Sequence, residues 1–194
     1  MAQLPRRAAR PAGAAPTEKS LRDAALAHVA RFATTQAGLV RVLERRVERW
    51  ARAVEAPDPQ VVADARRAAA IVAAKLVALG LVDDAAFAAA RARRLTRAGR
   101  SRLQVTAHLA ARGVTGEAAR QAAPTNPEAE LAAAVLLARR RRIGPFRVGE
   151  ADAAEQRREL GVLARAGFPQ DVATHALNLD TATAEELVLT LREL

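Results

Sequence analysis

The sequence predicts an all-α protein, with tandem three-helix repeats forming an elongated, curved, right-handed-type helical array. Alanine accounts for 51 of the 194 residues, and only Lys19 and Lys75 among the 31 basic residues are not arginine, so the two most abundant side chains are strong helix formers. Strand-length β-branched runs with period two are absent, while apolar residues recur at helical spacing between capping and glycine signals. The pattern also repeats. Leu109-Ala-Ala-Arg-Gly113-Val114 returns as Leu163-Ala-Arg-Ala-Gly167-Phe168 at an offset of 54, and the acids Glu117 and Asp171 follow at that same offset.

Residues 1–16 combine Pro5, Pro11, Pro16 and Gly13 with Arg6, Arg7 and Arg10 and little bulk to bury, and they read as a disordered basic tail. A first repeat spans 17–80. Its first helix carries Leu21, Ala25, Leu26, Val29 and Phe32 on one face, and Thr34-Thr35 stops it and caps the next. The second helix carries Leu39, Val42, Leu43, Val47 and Trp50 until Ala56-Pro57-Asp58-Pro59 breaks it. The third runs through Val62, Ile71, Val72 and Leu76 to Gly80.

A second repeat, 81–124, opens at Asp83-Asp84, acids suited to cap the helix that follows. That helix runs through Phe87 and Leu95 to Gly99. Ser101 caps another, with Leu103, Val105 and Leu109, up to Gly113, and a short helix from about Thr115 to Ala122 ends before Pro124. An offset of 66 aligns Val29, Thr35, Leu39 and Leu43 with Leu95, Ser101, Val105 and Leu109. The match fails where Val47 replaces Gly113, so the second helix of the first repeat should continue past the usual stop.

The third repeat, 125–180, opens at Asn126-Pro127-Glu128 and carries Leu131, Val135 and Leu136 into Arg139-Arg140-Arg141-Arg142. Gly144 aligns with Gly99 at an offset of 45, which leaves nine extra residues, beginning at Gly144-Pro145-Phe146-Arg147, before the next helix. Asp152 should cap that helix, which ends at Gly167, and a further helix runs from about Pro169 to Leu177. Within 181–194, Thr183-x-x-Glu186 has the form of a capping box opening a C-terminal helix.

The formal net charge of +10 favours a polyanionic partner such as DNA, RNA or a nucleoprotein complex. Arginine can grip phosphates and carboxylates bidentately, although a GC-rich genome would also write arginine for lysine. The absence of cysteine excludes a disulfide framework, a Cys-based zinc site and a thiol nucleophile. No segment has the apolar length of a signal peptide core or a membrane span, so the chain reads as a soluble cytoplasmic protein.

Charge is unevenly placed. Six arginines, at 91, 93, 94, 97, 100 and 102, fall between Arg91 and Arg102 with no acid among them, and five more lie between Arg139 and Arg147. Both clusters sit at the end of a repeat's first helix and the turn after it. The candidate contact residues for partner and DNA are Arg91, Arg94, Arg97, Arg100, Arg102, Arg139, Arg140, Arg141, Arg142 and Arg147. The structural alternative for Arg139 to Arg142 is compensation of the helix dipole, yet a run of four exceeds what capping needs. His28, His108 and His175 lack a nearby second ligand, so no metal site is expected. Asp83 and Asp84 are adjacent on a helix and cannot face each other as catalytic carboxylates. Trp50 suits helix packing better than partner anchoring. No Walker sequence, dinucleotide fingerprint or Ser–His–Asp arrangement is present, and the chain reads as a non-enzyme without cofactor.

Leu81-Val82-Asp83-Asp84-Ala85-Ala86-Phe87-Ala88, the Arg-rich helix after it, Gly99-Arg100-Ser101-Arg102 and Leu109 through Val114 resemble the central repeat of the RecX regulatory proteins. Arg141-Arg142-Ile143-Gly144-Pro145-Phe146-Arg147 and Leu163 through Phe168 resemble that family's third repeat, so the likeness covers roughly residues 20 to 178. The resemblance implies tandem three-helix repeats and a monomeric, non-catalytic modulator of the RecA recombinase in DNA repair, homologous recombination and the SOS response. Such a protein binds the groove of the RecA filament on DNA and inhibits ATP hydrolysis and strand exchange, or promotes disassembly. On that reading the arginine clusters make the contacts, while Asp83, Asp84, Phe87, Gly113 and Gly167 hold the repeats in shape. A helix-turn-helix-like DNA-binding transcriptional regulator is the alternative, and it predicts sequence preference on naked duplex.

Overall fold

The computed structural model describes residues 13–123 and 125–193. Among these every regular element is helical. The expectations for residues 1–12 of the tail and for Pro124 lie outside the described residues. The chain divides into two compact units at Asp84/Ala85.

The first unit packs α1 (Glu18–Val29), α2 (Gln36–Ala53) and α3 (Pro59–Ala78) pairwise. Each start has a local cause. The Thr17 hydroxyl accepts from the Ser20 N–H, Thr35 from Gly38 and the Asp58 carboxylate from Gln60, with Pro59 filling a first-turn position where no N–H is needed. Leu39, Leu43 and Val47 form an i, i+4 row on α2 that is wholly buried against Leu21 and Ala25 of α1 and Ala65, Ala69, Val72, Ala73 and Leu76 of α3. Alanine at three of these α3 positions removes side-chain bulk where helices meet. The buried leucines then carry most of the apolar burial, about 1.5–3 kcal/mol each.

Two expectations for this unit need correction. Helix α1 ends at Val29, so Phe32 lies beyond it, 59% exposed, with its ring 5.2 Å from the His28 ring. Leu26 also faces outward, because Leu21 and Ala25 already fill the space between α1 and its neighbours. The expected overrun of the second helix is found: α2 has 18 residues, whereas α5 has 10.

Helix α4 (Asp84–Arg97) begins at the last residue of the first unit and otherwise belongs to the second, which continues with α5 (Arg102–Ala111), α6 (Gly116–Ala122) and α7 (Pro127–Arg141). A 3-10 turn at Gly144–Phe146 precedes α8 (Ala153–Arg165), α9 (Gln170–Asn178) and α10 (Thr181–Glu193). Two apolar clusters lie within it. One joins Ala88, Ala92, Val105, Leu109, Val114 and Ala119 of α4–α6, and the other surrounds α7 with Leu163, Phe168, Ala173, Ala176, Ala184, Val188 and Leu191. Helix α7 is the centre of the second cluster. Ala132 through Leu136 are all buried, and α9 and α10 pack on it.

The acids near helix starts do more than the local pattern predicts. Asp84 stands in the first turn of α4, but its carboxylate accepts from the Gln36 N–H of α2 at 2.7 Å, 48 residues away. Glu130, in the first turn of α7, does the same for α5: both its oxygens accept from the Arg102 N–H, at 3.0 and 2.9 Å. Helix α8 instead carries its own capping box, Asp152 with Glu155. In place of the box expected with Thr183 as cap, the helix starts three residues earlier, at Thr181. Asp180 accepts from both the N–H and the hydroxyl of Thr183, which leaves that hydroxyl committed as a donor to Asp180.

Candidate functional site

The second unit brings parts of both arginine clusters to one groove. Its first wall is the α4–α5 turn. The Gly99 N–H donates to the Thr96 carbonyl and the Arg100 N–H to Leu95, which closes α4 and turns the chain across α7. The Arg140 guanidinium reaches from α7 to donate to the Ala98 carbonyl at 2.8 Å, tying the second cluster to this turn.

The opposite side is set by the α8–α9 turn. The Ser101 hydroxyl donates to the Ala166 carbonyl at 2.6 Å and accepts from the Gln104 N–H, so one side chain both caps α5 and anchors the turn. Gly167 has φ +82°, and a Cβ there would stand 3.0 Å from the Ser101 hydroxyl oxygen and from Leu103 Cδ2. Its glycine character therefore answers to both backbone conformation and close approach. Below, Glu130 fixes the first turn of α5. Burial pushes its carboxyl above the ordinary carboxylate range, opposed by the Arg102 N–H bond and charge.

The resulting groove is lined by Arg100, Arg140, Arg141 and Arg165, with Gly99, Gln104, Leu137 and Val162 among the rest, and no acid faces it. Arg100 donates to Gln104 at 3.3 Å, while the Arg165 guanidinium lies over Gly161. Four guanidiniums around an open concavity, unopposed by carboxylate, suit an anion with several oxygens, such as a phosphodiester or a carboxylate of another chain.

A curated relative, the regulatory protein RecX of Myxococcus xanthus (strain DK1622), is 36% identical over 176 residues, which is 89% of this chain and 91% of the relative. The chain belongs to the RecX family. The regulatory protein RecX of Agrobacterium fabrum (strain C58 / ATCC 33970) is 33% identical over 108 residues, 55% of this chain and 57% of that relative. No family model matches the chain.

The ten candidate arginines of this RecX-family chain fall into three groups. Arg100, Arg140 and Arg141 meet in the groove. Arg94, Arg97, Arg102 and Arg142 are exposed elsewhere, Arg97 beside a cleft with Arg93, Thr96 and Asn126, and Arg142 as the left-handed C-cap of α7 at φ +56°. Arg91, Arg139 and Arg147 have internal partners. Arg139 pairs with Glu185 of α10 at 3.0 Å, and Arg147 pairs with Glu159 of α8 at 2.6 Å, with Glu159 also accepting from the Gly144 N–H. Arg91 donates to His108 Nε2 at 2.9 Å, and burial followed by the charges of Arg91, Arg112 and Arg100 holds that imidazole below its ordinary value.

Arg165 is the groove residue that sequence reasoning missed. It sits inside the repeated Leu-Ala-x-x-Gly segment, aligned with Ala111 of the earlier copy, so the repeat marked its position but not its chemistry. Among the described residues no helix is long and apolar enough to cross a membrane.

Proposed function

We propose that this RecX-family protein is a non-catalytic, monomeric, cytoplasmic regulator of DNA repair and homologous recombination that binds the RecA–DNA filament and inhibits its ATP hydrolysis and strand exchange. The observation that carries the reading is the convergence of Arg100, Arg140, Arg141 and Arg165 on an acid-free groove. A nucleoprotein filament offers both phosphates and protein carboxylates, the two anion types that guanidinium forks grip well. Both curated relatives bear the name regulatory protein.

The groove is built by three helices' ends rather than by one element, so partner contact depends on how the helices are held. The reading therefore includes three tandem units, α1–α3, α4–α6 and α7–α9, followed by α10. Supporting it, each has its own apolar cluster, and an acid in the first turn of a following helix, Asp84 or Glu130, accepts from the opening N–H of α2 and α5 alike. Titrating the protein, well below RecA concentration, into RecA-catalysed ATP hydrolysis on single-stranded DNA tests the proposal. Progressive inhibition at such ratios is expected. Unchanged hydrolysis at equimolar protein, with sequence-selective binding to naked duplex, would instead support a transcriptional regulator.

A further inference from the structure

Helix α4 has a face that the groove does not use. Ala89, Ala92, Arg93, Thr96 and Arg97 recur at helical spacing along one side of it and form one wall of a cleft of about 300 Å³ within the second unit. The cleft has a cause in the sequence. Ala122 of α6 and Ala129 of α7 meet the α4 alanines there, so none of the three helices supplies a bulky apolar side chain to fill the junction, and Leu191 of α10 closes it from the other side.

Thr96 adds a second observation. It is 5% exposed, and its hydroxyl oxygen is buried with no hydrogen-bond partner among the described residues. A threonine inside a helix can satisfy its hydroxyl on the carbonyl four residues back, here Ala92, and this one does not. Native folds rarely leave a buried hydroxyl unpaired, so one in a cleft wall points to a group from outside the fold. Arg93 and Arg97 flank it on the same face. Both are exposed, neither has an ion pair with a described residue, and no acid among the described residues lines the cleft.

We propose that this cleft binds a medium-chain aliphatic carboxylate, its tail against the alanines and Leu191 and its carboxylate accepting from the Thr96 hydroxyl and from a guanidinium of Arg93 or Arg97. The dimensions set the size. Ala89 and Thr96 lie about two turns apart, roughly 10 Å along the helix axis, and a volume of about 300 Å³ holds about ten groups the size of a water molecule. Octanoate has that length and that number of heavy atoms. A phosphodiester would set a strongly hydrated group against methyl-lined walls, and a neutral hydrocarbon would leave the hydroxyl and both cations unused. An apolar body with one anionic end uses them all. The assignment is independent of the groove reading, since Arg100, Arg140, Arg141 and Arg165 line the groove and not this cleft.

The test titrates the full chain, without RecA or nucleic acid, by calorimetry with octanoate, and with acetate and 1-octanol as probes that each keep only one end of its chemistry. Octanoate should bind at one site, at least about tenfold more tightly than either. Thr96→Val, which keeps the shape and removes the hydroxyl, should weaken octanoate about tenfold without lowering Tm, because the lost hydroxyl has no internal partner. Ala89→Leu, at a partly exposed position in the wall, should abolish binding by filling the tail's end of the cleft. Arg93→Gln combined with Arg97→Gln should weaken octanoate and leave 1-octanol unchanged. Octanoate held no better than acetate, or unaffected by both Thr96→Val and Ala89→Leu, overturns the proposal. So does a fall in Tm for Thr96→Val, which would show that the hydroxyl already serves the fold.

Discussion

Helices α2 and α5 occupy matching places in the sequence and begin in the same way, yet they end differently. Both start behind a hydroxyl cap, Thr35 or Ser101, and both receive a carboxylate from a later helix, Asp84 or Glu130. Helix α5 then stops at Ala111, with Gly113 at φ +93°, and α2 passes Val47 and continues to Ala53. The difference separates two jobs of one pattern. Caps and buried leucines place the helix; the residue at the glycine position decides whether the chain turns back towards the core or runs on and carries arginines outward.

The largest effect should come from the leucines that the alignment pairs. Leu43→Ala and Leu109→Ala each empty a fully buried site and should cost about 2–5 kcal/mol, read by chemical denaturation. A negligible loss for one of them would break the equivalence of the two helices.

The borrowed caps come next. Asp84→Ala should cost about 0.5–2 kcal/mol, the range of a lost N-cap, and Glu130→Ala about 1–3, because the Arg102 N–H is left without its carboxylate partner. Their pH behaviour separates them further. Because the folded Glu130 carboxyl is held above 4.5, its contribution is fully present below that pH and is lost as pH rises through the folded value. Glu130→Gln, which keeps an acceptor oxygen, should flatten stability across that window; a steeper dependence would contradict the burial argument.

At the stop itself, Gly113→Ala forces an L residue to positive φ and should cost about 1–2 kcal/mol, whereas Val47→Ala is a simple core truncation. Thermal melts distinguish strain from cavity if Gly113→Asn, which tolerates this backbone, recovers part of the loss. The smallest effect concerns His108. Its lowered value should appear in an NMR titration, and Arg91→Ala should move it back towards 6.5, since one of the three neighbouring guanidinium charges and some packing are removed. The sign is that a depressed histidine favours folding above its unfolded value and opposes it as pH falls below. No movement in Arg91→Ala would assign the depression to burial alone.

Helix starts at Thr17, Thr35, Ser101, Asn126 and Asp152 were legible because each rests on a contact two or three residues away. The overrun of α2 was legible from one missing glycine. Asp84 was legible only as a cap, since local spacing assigns it to its own helix and nothing local points to Gln36. Glu130 and Arg165 were missed for the same reason: their roles depend on partners or neighbours brought in by packing. Of the arginine clusters, charge density was plain, but not which guanidiniums are spent internally, because Glu185 and Glu159 lie far along the chain from Arg139 or across an insert from Arg147.

On the proposed function, the groove arginines act together where exposed arginines elsewhere in the unit do not. The direct measurement compares inhibition of RecA-catalysed ATP hydrolysis by two variants of equal charge and helicity, one with Arg140, Arg141 and Arg165 replaced by Ala and one with Arg94, Arg97 and Arg142 replaced by Ala. The first should need at least about tenfold more protein for half-inhibition, equivalent to about 1.4 kcal/mol, while the second stays near the unmodified protein. Equal losses in the two would contradict it, leaving total charge rather than the groove as the determinant.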